Sequence, residues 1–108
     1  MIVSEQEIFE LKKFILQLNE MKDSVVIVEG KKDSGALKKI GFTGKVLEFH
    51  KFGGMIDFTD SVSKYKRLII LFDRDKKGRT LTGKTIQLLQ RRTKIDLSFK
   101  RKLREITN

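Results

Sequence analysis

Cysteine, proline and tryptophan are all absent from this 108-residue chain. Without cysteine there is no disulfide framework, no thiolate metal site and no cysteine nucleophile. The apolar runs reach only about five residues, against the roughly 20 that a membrane-spanning helix needs. The first five residues lack the basic start and the apolar stretch of a secretory signal. We therefore expect a soluble, cytoplasmic protein with no membrane partner.

Hydrophobic residues make up 39% of the chain, which is an ordinary share for a folded protein. A chain of 108 residues can bury one core but not two. The sequence also has no internal repeat and no low-complexity linker to divide it. The composition therefore predicts one domain over residues 1–108.

Positive charge is concentrated at one end of the sequence. The formal net charge is +10. Residues 1–75 hold 13 Lys/Arg against 12 Asp/Glu, a net of +1, whereas residues 76–108 hold 11 against 2, a net of +9. Such one-sided clustering is typical of a polyanion partner, most often nucleic acid. The alternative is a solvated basic surface that serves solubility or heat stability.

Three apolar runs predict strands. The first, residues 25–28, is a continuous β-branched run, which is typical of a strand that is buried on both faces. Residues 46–49 and 68–72 are the second and third predicted strands. Residues 94–97 are the only candidate for a fourth strand, and they fit the start of a final helix equally well.

Helical patterns alternate with these strands. Ser4 and Glu7 have the spacing of a capping box, and apolar residues then recur at helical spacing. The other predicted helices begin at a cap on Asp33 or Ser34, after Gly54, after a turn at Gly78 (ending near Thr93), and at a cap on Asp96. The alternation predicts an α/β fold of three layers, in which helices flank a mainly parallel sheet of three to four strands.

Acidic residues directly follow two of the predicted strands. The first strand runs into Glu29-Gly30-Lys31-Lys32-Asp33, and the third runs into Asp73-Arg74-Asp75. The carboxyl ends of parallel strands meet at one edge of the sheet, where α/β folds bind their ligands. Carboxylates at such positions are costly to desolvate unless they are paired, solvated or bound to a cation. Converging carboxylate oxygens suit Mg²⁺, and Mn²⁺ accepts the same ligands.

In their order and spacing these residues resemble the Toprim domain. The shared features are a strand that ends in Glu29-Gly30, an aspartate four residues after that glutamate, and an apolar strand that ends in Asp73-x-Asp75 with a glycine three residues beyond. The resemblance covers about residues 24–93 and is to a small stand-alone member of the superfamily. Topoisomerases, bacterial primases, OLD-family nucleases, recombination-repair proteins and the ribonuclease that matures 5S ribosomal RNA share this domain.

The resemblance implies a role for each acidic residue. It makes Glu29 the catalytic, general acid/base or metal-linked glutamate, and it makes Asp73 and Asp75 ligands of Mg²⁺. Asp33 matches a further acidic position of the primase-like branch, and a helix N-cap is the alternative role for this residue. The implied activity is Mg²⁺-dependent phosphodiester chemistry on RNA or DNA, of the nuclease or strand-transfer type.

Basic residues near these motifs are candidates for contact with the nucleic-acid backbone. They are Lys31, Lys32, Lys76, Lys77, Arg79, Lys84, Arg91 and Arg92. Contacts of this kind hold phosphates without reading the base sequence, and they weaken steeply with salt. The chain then divides into an N-terminal helix within residues 1–23, a Toprim core over 24–93, and a basic, helical C-terminal segment over 94–108.

Two other functions stay open at this point. Residues 78–85 match G-x-x-x-x-G-K-[ST], the phosphate-cradling loop of nucleotide hydrolases. The first glycine of that match, however, lies five residues past Asp73, and no later strand supplies a second Mg²⁺-binding aspartate. The other alternative is a non-catalytic nucleic-acid-binding module that acts with a larger partner. A homodimer is also open, because the first helix lies outside the matched region.

Overall fold

A computed structural model describes residues 4–107. The first three residues of the predicted N-terminal helix region and the last residue of the chain lie outside this range. The elements in chain order are α1 (Glu5–Asn19), β1 (Ser24–Val28), α2 (Lys31–Lys39), β2 (Val46–Glu48), α3 (Met55–Val62), β3 (Arg67–Ile70), α4 (Lys76–Leu89), β4 (Lys94–Asp96) and α5 (Ser98–Thr107). A short 3₁₀ turn, Phe49–Lys51, follows β2.

The four strands form one parallel sheet in the order β2-β1-β3-β4. This arrangement confirms the predicted α/β fold and includes the fourth strand. In β4, Ile95 is the register partner of Leu68, so the interpretation of residues 94–97 as the start of the last helix was wrong. The central strand β1 is buried on both faces, as its β-branched run predicts, because Val25 to Val28 are each at most 1% exposed.

Helices cover both faces of the sheet, which gives the predicted three layers. On one face α1, α2 and α5 pack against Val26 and Val28, and on the other α3 and α4 pack against Val25 and Ile27. Alternate side chains of β1 therefore serve opposite cores, as the period of a strand requires. The first face is closed by an edge-to-face contact between the rings of Phe14 and Phe99, 5.8 Å apart.

The starts of α1 and α2 show how local side chains set the boundaries of helices. The Ser4 hydroxyl accepts a hydrogen bond from the Glu7 N–H at 3.1 Å, so the predicted cap of α1 is confirmed. The N-cap of α2 is Gly30 rather than Asp33 or Ser34. Asp33 lies three residues later and accepts from the Gly30 N–H at 3.4 Å, so the N-cap role predicted for it was wrong.

The start of α4 also differs from the prediction. Asp75 is its N-cap and accepts a hydrogen bond from the Gly78 N–H at 2.7 Å. Gly78 therefore belongs to the first turn of the helix, and the turn predicted there was wrong. The helix ends at Leu89, before the predicted end near Thr93.

Residues 78–85 lie entirely within α4. A phosphate-cradling loop needs backbone N–H groups that point away from helical bonds, whereas here the segment is regular helix. The hydroxyls of Thr82 and Thr85 accordingly donate to carbonyls one turn earlier, each at 2.8 Å. The nucleotide-hydrolase interpretation of this sequence match was wrong.

Helix α5 is held to the sheet at its first turn. The Asp96 carboxylate accepts from the Ser98 N–H at 2.8 Å and pairs with Arg67 at 2.7 Å. The first helical backbone bond goes to the Leu97 carbonyl, so Leu97 rather than the predicted Asp96 holds the N-cap position, and Asp96 bonds the first helical N–H from the end of β4. Burial raises the pKa of Asp96, but hydrogen bonds from Ser98 and Arg67 outweigh it and hold that pKa below its usual range. None of the helices in residues 4–107 is long and apolar enough to cross a membrane.

Candidate metal and nucleic-acid site

The strand order creates a crevice between the carboxyl ends of β1 and β3. From β1 the chain passes to β2 on one side, and from β3 it passes to β4 on the other. Crevices at such switch points are the usual ligand sites of parallel α/β sheets. Glu29 comes directly after β1, and Asp73 comes three residues after β3.

The structure brings Glu29 and Asp73 together. The Glu29 Oε1 atom accepts a hydrogen bond from the Asp73 backbone N–H at 2.9 Å. Glu29 is half-buried, whereas the side chains of Asp73 and Asp75 are exposed. The bond occupies one carboxylate oxygen of Glu29 and links it to the backbone of Asp73. The two acidic strand ends therefore form one structural unit.

Gly78 completes this unit because it has no side chain. A Cβ atom at this position would lie 1.8 Å from the Asp73 carbonyl oxygen and 2.9 Å from Glu29 Oε1. Both distances are shorter than van der Waals contact allows, so any other residue must displace α4 or the end of β3. The glycine three residues past Asp75 therefore allows α4 to approach the acidic crevice closely.

The remaining acidic residues have partly committed oxygens. Asp75 uses Oδ1 to cap α4, which leaves its second oxygen for other partners. Asp33 is half-buried, and its bond to the Gly30 N–H is long. Both Asp33 and Asp73 line a groove between α2 and α5.

Carboxylate oxygens are suitable ligands for a hard divalent ion, but these carboxylates do not form a complete coordination site. Within residues 4–107, no three His, Asp or Glu side chains are gathered closely enough to form a ready ligand set. Mg²⁺ does not need one, because it keeps several waters and is often held by one or two carboxylates together with substrate phosphate. Asp73, with the free oxygen of Asp75 or Glu29, can supply such a partial set.

All eight basic residues singled out from the sequence are exposed. Lys31 and Lys32 open α2, and Lys76 and Lys77 open α4, so four of the eight lie at the acidic edge of the sheet. The 14 residues of α4 extend about 21 Å. Consequently its far end, where Arg91 and Arg92 follow, is not brought to the acidic crevice.

Lys100 on α5 reaches the site, although from the sequence it is only one of many basic residues. Its side chain is half-buried, and Nζ donates to the Thr82 hydroxyl of α4 at 3.5 Å. Burial lowers the pKa of Lys100, the charge of Arg104 adds to this, and the charges of Glu29 and Asp73 oppose it. No local signal separates it from Arg101 and Lys102, which also lie between the core positions Phe99 and Leu103.

A family model for the Toprim domain matches residues 24–102. The chain belongs to the Toprim domain family. The match begins with β1 and extends past residue 93 to include β4 and the first half of α5. At the level of the family, Toprim domains generally bind Mg²⁺ and act in metal-dependent processes on nucleic acid.

Several archaeal relatives resemble this Toprim chain over most of its length. It is 32% identical to the UPF0292 protein of Pyrococcus furiosus over 92% of this chain and 74% of the relative. It is 33% identical to the UPF0292 protein of Archaeoglobus fulgidus over 87% and 77%. Among solved structures, a protein from Aquifex aeolicus matches with a TM-score of 0.66 and 30% identity, over 92% of this chain and 86% of that one.

Proposed function

We propose that this Toprim protein cleaves or transfers phosphodiester bonds of nucleic acid in a Mg²⁺-dependent reaction. The observation that carries the proposal is the hydrogen bond from the Asp73 N–H to Glu29 Oε1. It holds a glutamate and an aspartate at the switch point of the sheet. Helix α4 packs so closely there that position 78 has no room for a side chain.

The roles follow from which oxygens are free. Asp73, with the second oxygen of Asp75, would hold the ion at the exposed edge, and a bound Mg²⁺ would supply charge stabilisation to a phosphate in transfer. Glu29 keeps Oε2 free to accept a proton from the attacking oxygen or to return one to the leaving oxygen. Lys31, Lys32 and the two lysines that open α4 hold the phosphate backbone.

Charge removal at Asp73 tests this proposal. Asp73→Asn, alone and with Asp75→Asn, is compared with the unmodified protein on labelled RNA and DNA in Mg²⁺, Mn²⁺ and chelator. Asparagine caps helices about as well as aspartate, so Asp75→Asn keeps the start of α4. We expect the double variant to lose at least about 100-fold in cleavage or joining, the order of effect found when a main electrostatic contribution is removed.

Asp23→Asn is the matched control, since Asp23 is an exposed aspartate directly before β1, at the opposite end of that strand from Glu29. It should leave the rate unchanged. Mn²⁺ binding, measured by the spectroscopic signal of the ion, should weaken in the Asp73 variant and not in the control. Activity that survives the double variant would show that these aspartates are not needed for the reaction.

A second function is favoured by the committed oxygens. Glu29 and Asp75 each use one oxygen in a structural hydrogen bond, and residues 4–107 contain no ready set of three ligands. Under this alternative the chain is a non-catalytic nucleic-acid-binding Toprim module that acts with a larger partner. It predicts salt-sensitive binding that the double variant retains, with no turnover of any RNA or DNA by either protein.

A further inference from the structure

A groove of about 290 Å³ lies between α2 and α5, beside the acidic crevice. The ends of β1 and β3 form its base, through Val28 and residues 71–73. Asp73 belongs to the groove and to the crevice alike. A molecule in the groove is therefore adjacent to whatever the crevice holds.

The walls of this groove combine apolar, cationic and acidic side chains, and the acidic ones are Asp33 and Asp73. Apolar side chains of Ala36 and Leu37 on α2, and of Ile40 directly after that helix, face Leu103 on α5. Cationic groups stand among them, and these are Arg74, Lys100 and Arg104. A ligand with both a flat apolar part and an anionic part satisfies this lining, whereas an inorganic anion alone leaves the apolar walls in contact with water.

The cations of the groove are free to meet an anion. Among the described residues 4–107, no carboxylate forms an ion pair with Arg74, Lys100 or Arg104. The one side-chain bond of Lys100, to the Thr82 hydroxyl at 3.5 Å, is at the limit of hydrogen-bond length. A half-buried ammonium with so little compensation gains from a charge-assisted bond to phosphate.

We propose that this groove binds one unpaired nucleotide next to the reacting phosphodiester. Its phosphate contacts Lys100 and Arg104, and its base lies against Ala36, Ile40 and Leu103. The inference rests on the proposed function, and it specifies the substrate as a single-stranded or frayed nucleic acid. In a duplex the base faces are stacked and withheld, so only unstacked nucleotides can offer one to an apolar wall.

Binding in the presence of chelator tests the groove without relying on catalysis. Fluorescence anisotropy gives the affinity for a short labelled single strand and for a blunt duplex of equal length at one salt concentration. Lys100→Met keeps the apolar stem and removes the charge, and Arg101→Met changes an exposed neighbour on the same helix that does not line the groove. We expect Lys100→Met to weaken single-strand binding about tenfold, the size of a lost charge-assisted bond.

A second variant fills the groove from the opposite wall. Ala36 is exposed, so Ala36→Phe can be accommodated by the fold while its ring occupies the base position. We expect it to abolish the preference for single strand over duplex, whereas Ala36→Ser should keep that preference. Circular dichroism and thermal unfolding establish that each variant is folded.

Three outcomes overturn the groove proposal. One is an equal loss of affinity in Lys100→Met and Arg101→Met, which would indicate diffuse charge only. Another is unchanged single-strand binding in Ala36→Phe, and the third is a duplex that the unmodified protein binds as tightly as the single strand. The metal-dependent reaction is measured separately with the Asp73 variants. Each proposal therefore has its own measurement, and the failure of one can be distinguished from the failure of the other.

Discussion

The two basic helices, α4 and α5, contribute to the site in different ways. The buried contribution of α4 is backbone, because Gly78 packs against the Asp73 carbonyl while its cations, Lys76, Lys77, Arg79 and Lys84, are exposed. Helix α5 contributes side chains, because Lys100 and Arg104 line the groove. Four of the 14 residues of α4 and five of the ten residues of α5 are charged, and the two helices also differ in their position on the sheet.

The two helices lie on opposite faces of the sheet, and Lys100 connects them. Leu89 of α4 belongs to one core and Phe99 of α5 to the other. The Lys100 ammonium nevertheless reaches the Thr82 hydroxyl of α4. The two layers therefore meet at the candidate site, which suggests three experiments that separate the backbone contribution of α4 from the side-chain contribution of α5.

The largest expected effect comes from adding one methyl group to α4 at Gly78. Gly78→Ala places Cβ against the Asp73 carbonyl, and we expect the free energy of unfolding to fall by about 3 kcal/mol, the upper range for overpacking. Gly83→Ala, in the same helix with no atom near the added Cβ, should instead raise it by about 0.5–1 kcal/mol. Chemical denaturation measures both. Equal effects of the two substitutions would contradict the close approach at Gly78.

A smaller effect is expected at the start of α5. Asp96→Asn keeps a side chain that can bond the Ser98 N–H but removes the charge that pairs with Arg67. We expect the free energy of unfolding to fall by about 1–3 kcal/mol at neutral pH, as measured by denaturation. Arg67→Met should produce a similar loss.

The loss at Asp96 should depend on pH in one direction. Because the folded-state pKa of Asp96 is lowered, its contribution is fully present above the unfolded-state pKa of about 3.9 and is lost as the pH falls through the folded-state value. The gap between the unmodified protein and Asp96→Asn should therefore narrow below about pH 4. A gap that stays constant down to acid pH would show that the charge of Asp96 contributes nothing.

The smallest effect is expected for the exposed cations of α4. Arg79→Ala and Lys84→Ala should each lower the salt dependence of nucleic-acid binding by about one unit of slope if they contact a phosphate. Their effect should be equal for single strand and duplex and should vanish at high salt, because exposed charges are screened. Titrations at several salt concentrations measure this. An effect confined to single strands would move the strand preference from α5 to α4.

Much of the fold could be predicted from the sequence, because the strongest local signals agree with the tertiary structure. The β-branched run of β1 is buried on both faces, and residues 68–72 contain most of β3. Parallel strands and acidic strand ends together imply that Glu29 and Asp73 meet, as the structure has them. Their roles as metal ligands and catalytic group stay predictions.

Other features depend on tertiary contacts that no local pattern carries. Gly78 was predicted as a turn because glycine usually interrupts helices, but here it lies in the first turn of α4 so that the helix can approach Asp73. The phosphate-loop match was wrong because residues 78–85 lie within α4. Their backbone N–H groups take part in helical hydrogen bonds and cannot surround a phosphate. Lys100 could not be distinguished from the other cations before the strand order showed where α5 lies.

The hydrogen bond between Glu29 and Asp73 also has a consequence for the order of folding. It joins residues that are 44 positions apart, and contacts of such separation form only after a long loop has been closed. The bond lies just beyond the paired strands β1 and β3. We therefore expect the acidic edge to form together with the central sheet. A partly folded chain carries the full net charge of +10 and can attract polyanions. Without the sheet, it has no organised place at which to act on them.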